Sequence, residues 1–163
     1  MPDLAIRSTF IVGYPGETEE EFQALLDFIQ DMRFDRVGAF TFSFEPGTRS
    51  ESLGDPVPEE VKQERLDRLM ILQQRISLEN NQAQVEKTLD ILIEGFSEPT
   101  SSGPVLAVGR SYRDAPEIDG LVFVEPHPSA ATRIQIGDII PVKIQGALPY
   151  DLSGIQTVRT EGV

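Results

Sequence analysis

The sequence predicts an α+β chain in three parts. Residues 1–58 read as the incomplete β-α-β end of a larger α/β barrel, 59–84 as a long connecting helix, and 85–158 as a five-stranded antiparallel β-barrel of the oligonucleotide-binding type, with 159–163 as a tail. Three observations predict it. A nearly continuous β-branched and apolar run, AIRSTFIVG, is followed by helix-start chemistry and then by a second extended run. A helical period then extends from Pro58 to about Gln84. From Val85 the apolar period changes to two, in short runs separated by Gly, Pro and Ser.

The run Ala5–Gly13 suits a strand buried on both faces, as in a parallel sheet. Pro15-Gly16 turns the chain, and Thr18 with Glu21 three residues later forms a capping box. Glu17, Glu19 and Glu20 lie at the same helix start, where the dipole favours negative charge. Phe22, Leu25, Leu26, Ile29 and Met32 repeat at three and four, so the helix ends near Met32 or Arg33. The strand Arg36–Phe44 places Phe40, Phe42 and Phe44 on one face, expected under the covering helix. Val37, Ala39, Thr41 and Ser43 take the other face, expected in a crowded or ligand-lined interior. Two parallel strands and one helix cannot cover both sheet faces, so the sequence is expected to be a truncated piece of a longer protein.

Residues 45–58 are loop by composition, and Pro58 before Glu59 and Glu60 opens the long helix. Its packed stripe is Val61, Leu66, Leu69, Met70, Leu72 and Ile76. The barrel strands are then Leu89–Glu94, Val105–Tyr112, Leu121–Glu125, Ile139–Gln145 and Ile155–Val158. In the fourth, Ile140, Val142 and Ile144 face inward while Lys143 and Gln145 face out. The joint between the second and third concentrates Arg110, Arg113, Asp114, Glu117 and Asp119 around Ala115-Pro116. A plain hairpin needs only turn residues there, so a solvated charged loop and a recognition element are both open.

The totals narrow the chemistry. The chain has 163 residues, 39% of them hydrophobic and 25% charged, ordinary values for a globular protein. No apolar run approaches a membrane span, and no signal-peptide pattern opens the chain. With no cysteine there is no disulfide, thiolate metal site or thiol catalysis, and His127 between two prolines is a poor metal ligand or base. The net charge is −13. Residues 1–86 carry eight Lys/Arg against seventeen Asp/Glu, and 87–163 carry six against ten, so neither part is basic. That argues against nucleic acid as the default partner and favours a basic protein.

The phrases TFIVGYPGETEEEF and DRVGAFTFSFEPGT, then a long helix and a small barrel, resemble the C-terminal third of the methylthiotransferases. These are radical S-adenosylmethionine enzymes with a partial α/β barrel and a C-terminal TRAM domain. One branch modifies adenosine in tRNA. The other methylthiolates an aspartyl residue of small-subunit ribosomal protein uS12. GRSYRDAPEIDGLVFV and PYDLSG are similar to the second branch, which usually has an aromatic residue where Ser153 stands. The resemblance implies a cytoplasmic parent enzyme that uses S-adenosylmethionine and two cysteine-held 4Fe–4S clusters, with uS12 or the small ribosomal subunit as partner. It also implies substrate recognition by the TRAM domain, with Arg110, Arg113, Asp114, Glu117 and Asp119 as candidate contacts, and apolar contact of Ile11, Val12 and Gly13 with the adenosine. Glu17 resembles the acidic end of a strand motif, with its spacing off by one. Lacking the cysteines, this chain alone is expected to bind no cluster and to be inactive. A tRNA-modifying relative with an RNA-binding TRAM domain, and a free-standing binding module, are the alternatives.

Overall fold

The structure is a computed structural model and describes residues 4–98, 105–128 and 133–157. The chain divides into two compact units, Ile6–Ser77 and Leu78–Val163, the latter joined by Met1–Ala5. Within the first unit, β1 (Arg7–Val12) and β2 (Arg36–Thr41) pair in parallel, in register from Arg7 opposite Arg36 to Val12 opposite Thr41. Between them runs α1 (Glu19–Met32). Thr18 caps it as the sequence predicts: its Oγ1 accepts from the Glu21 N–H at 3.2 Å, and the Glu21 carboxylate accepts from the Thr18 N–H at 2.8 Å. The helix ends at Arg33, which takes the left-handed conformation at φ 50° and donates its N–H to the Ile29 carbonyl.

α2 (Glu59–Gln82) begins after a loop with one 3₁₀ turn, Glu51–Leu53. Its Leu69 and Ile76 join Val12, Phe22, Ile29 and Phe34 in one buried apolar cluster. The face assignment of β2 is corrected here. Val37 and Ala39 pack on this cluster, whereas Phe40 is 63% exposed. The rings needed beneath the helices come from elsewhere: Phe10 and Phe28 each meet Phe34 edge-on, at 5.9 and 5.7 Å. With those rings filling the layer, β2 has room only for small side chains on that side. Phe42, one residue past β2, is buried, with its ring edge-on to Tyr14 at 5.3 Å, and Phe44 is exposed.

In the second unit, β3 (Thr88–Phe96), β4 (Ala107–Arg110), β5 (Val122–Glu125), β6 (Ile139–Ala147) and β7 (Leu152–Gln156) close a barrel in the order β3-β4-β5-β7-β6. Neighbours are antiparallel except β5 and β7, which run parallel. Leu89, Ile91, Ile93, Val122, Val124, Val142 and Ile144 fill the interior, with Ile140 packed partly against them. The alternation along β3 and β6 sends Asp90 and Gln145 outward, as a period of two requires. The last strand begins earlier than the expected Ile155, at Leu152. Leu152 is buried in the core, and Gly154 sits where any Cβ would strike the Lys143 carbonyl, so this glycine marks close strand approach rather than a turn. Val158 and the tail 159–163 lie outside the described residues.

Candidate functional site

Two places gather the residues singled out by the sequence. In the first unit, β1 alternates, so Ile11 lies on the exposed sheet face, in register with Phe40, while Val12 is buried with the helices. Gly13 turns off the strand at φ 75°, and a Cβ there would sit 2.5 Å from Lys62 Cγ. The structure therefore separates Ile11 from Val12 and Gly13. Glu17 is held below them: its carboxylate accepts the Gly13 N–H at 3.1 and 3.2 Å and pairs with Arg65 at 2.7 Å, both side chains largely buried. This arrangement fixes the turn after β1.

Lys62 is nearly fully buried beside that turn. Its ammonium donates to Asp55 at 2.7 Å and to the Phe42 carbonyl at 3.1 Å, and lies 3.3 Å from Glu59. The hydrogen bond to Asp55, helped by Glu59 and opposed by burial, raises the Lys62 pKa above the ordinary lysine value. One side chain thus joins the ends of β1 and β2 to the following loop.

The second place is the charged joint after β4. Asp114 folds it: its Oδ2 accepts from Ser111 Oγ at 2.7 Å and from the Ser111 N–H at 3.2 Å. Asp119 closes the next turn by accepting the Ala115 N–H at 2.6 Å. Arg113 is buried, and its Nη1 donates to Asn81 Oδ1 at 3.2 Å. Asn81 is fully buried at the end of α2, and its Nδ2 donates to the carbonyls of Leu148, at 2.9 Å, and Pro149, at 3.3 Å. A second loop, 147–151, is thereby held beside the first. Gly120 lies against the Tyr150 carbonyl, and the Leu121 N–H donates to Asp151 Oδ1 at 2.8 Å.

Of the five candidates there, Arg113, Asp114 and Asp119 are engaged in holding these two loops. Arg110 lies on the barrel wall, its Nε donating to Glu94 at 2.7 Å across to β3. Glu117 is exposed at the tip with φ 63°. Asn81 and Asp151 are partners that sequence reading missed. Arg65, Leu69, Gln73, Ser77 and Asn81 recur every four residues on a helix face that is buried although mostly polar, so no apolar period marks Asn81. Nothing local marked Asp151, whose partner is thirty residues away. Among the described residues no three His, Asp or Glu side chains gather as a metal site, and no helix is long and apolar enough to cross a membrane.

A family model described as the TRAM domain matches residues 85–156, which contain all five barrel strands. Curated relatives named ribosomal protein uS12 methylthiotransferase RimO match nearly the whole chain. One from Thermus thermophilus is 53% identical over 96% of this chain and 34% of its own length. That from Chloroflexus aurantiacus is 53% identical over 94% of the chain and 32% of its own length. That from Mannheimia succiniciproducens is 50% identical with the same coverage, 94% and 32%. The chain spans about a third of the length of the curated relatives it matches. Residues 85–156 thus match the TRAM domain, and over 96% of its length the chain is similar to about a third of a protein named ribosomal protein uS12 methylthiotransferase.

Proposed function

We propose that this chain is part of an enzyme that methylthiolates an aspartyl residue of ribosomal protein uS12 in the cytoplasm, its barrel contributing to substrate recognition. The observation that carries the reading is identity of 50–53% with proteins of that name over at least 94% of the chain. Charge supports it: a chain of net charge −13 repels a phosphate backbone and attracts a basic ribosomal protein.

The chemistry such an enzyme needs does not fit the side chains present. Clusters of the 4Fe–4S kind are held by cysteine thiolates, and the sequence has no cysteine. Their ligands have to come from outside these 163 residues, and the chain alone is expected to be inactive. For S-adenosylmethionine, Ile11 on the open face of β1, beside Phe40, is the candidate that offers accessible apolar surface. Val12 and Gly13 act beneath it, through packing and the turn.

Titrating the purified chain with uS12, and separately with a tRNA anticodon stem-loop, at several salt concentrations tests the reading. Saturable binding of uS12 is the expected result. Tight RNA binding with a steep salt dependence, and no response to uS12, overturns it in favour of a tRNA-modifying relative.

A further inference from the structure

Resting on that reading, we propose that the paired loops 111–121 and 147–151 form the surface that docks the protein substrate, and that they take a Lys/Arg-rich segment carrying an apolar anchor. Tyr112, Ile118, Leu121, Leu148 and Tyr150 are all exposed large apolar side chains on these two loops, Ile118 by 76% and Leu148 by 60%. Their backbones lie side by side: Leu121 is bonded to Asp151 and Leu152, and Gly120 abuts Tyr150. Soluble domains scatter single apolar residues over the surface, but five on two adjoining loops make a patch, and its tyrosines are a typical anchor type.

The buried groups beneath explain how such a patch holds its shape. Asn81 ties both loops to the end of α2, Asp114 and Asp119 close the first loop, and Asp151 joins it to the second. A preformed surface loses little conformational entropy on binding. Charge selects the occupant. Glu117 stands exposed at the tip, with Asp119 and Asp151 partly exposed nearby, while Arg113 is buried below and Arg110 is paired with Glu94. An apolar patch rimmed by carboxylates fits a cationic polypeptide and opposes RNA phosphate.

The test maps binding by amide NMR shifts on the 163-residue chain, with three probes: uS12, a peptide of alternating Lys and Leu, and an RNA stem-loop. Ile118→Ser and Tyr112→Ser remove apolar surface at exposed positions without adding charge, so both variants are expected to fold like the parent. The expected result is that uS12 shifts the amides of both loops and that each variant weakens its binding about tenfold, close to 1.4 kcal/mol. If uS12 binds parent and variants alike, the docking surface is overturned while the substrate reading stands. If uS12 fails to bind but the peptide shifts the same loops, the substrate reading fails and the surface stands. No response to either polypeptide, or RNA shifting these loops, overturns the surface.

Discussion

Gly120→Ala tests whether the two loops of the barrel are held by backbone contact or merely drape beside one another. A Cβ at this position would fall far inside van der Waals contact of the Tyr150 carbonyl oxygen, and would stand 3.0 Å from Asp151 Oδ1. The first neighbour is backbone, and the second is held by its hydrogen bond from the Leu121 N–H. The loops must separate, which stretches the bond from the Leu121 N–H to Asp151, 2.8 Å, and that from the Leu152 N–H to the Leu121 carbonyl, 2.9 Å. Two hydrogen bonds at about 1 kcal/mol each, with overpacking strain of similar size, give a loss of about 3 kcal/mol. For a domain of this size that is a fall in melting temperature of about 12–24 °C. Gly95→Ala is the internal control, because no atom lies within 4 Å of a Cβ there, and it should stay within about 0.5 kcal/mol of the parent. Thermal melts, with hydrogen exchange of the β5 and β7 amides to isolate the barrel, measure both. A Gly120→Ala chain melting within about 2 °C of the parent, or a Gly95→Ala chain losing as much, refutes the reasoning.

Two predictions concern the first unit. The Glu21 carboxyl is held below its ordinary pKa, first by the Thr18 backbone N–H and then by the Thr18 hydroxyl. A depressed carboxylate contributes stability above its unfolded pKa of about 4.3 and loses it as pH falls through the lower folded value. Thr18→Ala should therefore cost about 1 kcal/mol at neutral pH through the lost cap, with the gap to the parent narrowing in acid; a gap that widens in acid contradicts the assignment. Lys62 behaves in the opposite sense. Its pKa is raised, chiefly by Asp55, so its contribution is complete below about 10.4 and is lost as pH rises through the folded value. The urea midpoint of Lys62→Met should trail the parent by a constant margin from about pH 6 to 9 and converge only above about 10.4. Convergence already near pH 8 would mean that the ion pair with Asp55 does not govern Lys62.

What could be read from the sequence was what depends on near neighbours. The Thr18–Glu21 box needs partners three residues apart, and its geometry is as the spacing requires. The inward set of β6, with Val142 and Ile144 buried, follows from period two. The Phe40–Phe44 face was misassigned because alternation says which residues share a face and not which face the helices cover. That choice was made by Phe10 and Phe34, which lie outside β2. The start of β7 was hidden for a related reason. In DLSG the glycine looks like a turn residue, yet what requires it is the nearness of Lys143, eleven residues back on the neighbouring strand. The apolar stripe of α2 leaves out Gln73 and Asn81, because their burial depends on acceptors far along the chain, the Phe34 and Leu148 carbonyls.

The charged phrase RDAPEIDG shows why wording that carries a resemblance need not be wording that touches a substrate. Arg113, Asp114, Asp119 and Gly120 have demanding partners within the barrel unit: an amide oxygen, a serine, a backbone N–H and a carbonyl that leaves no room for a Cβ. In this chain those groups hold the two loops together, whatever the loops bind. Side chains that turn outward from the same phrase, Glu117 and Ile118, carry no such obligation. On the proposed docking surface, discrimination between partners falls to these side chains and to Tyr112, where a change alters contact chemistry without moving the groups beneath. If that surface docks the substrate, the motif and the specificity lie on the same loop, on its inner and outer sides.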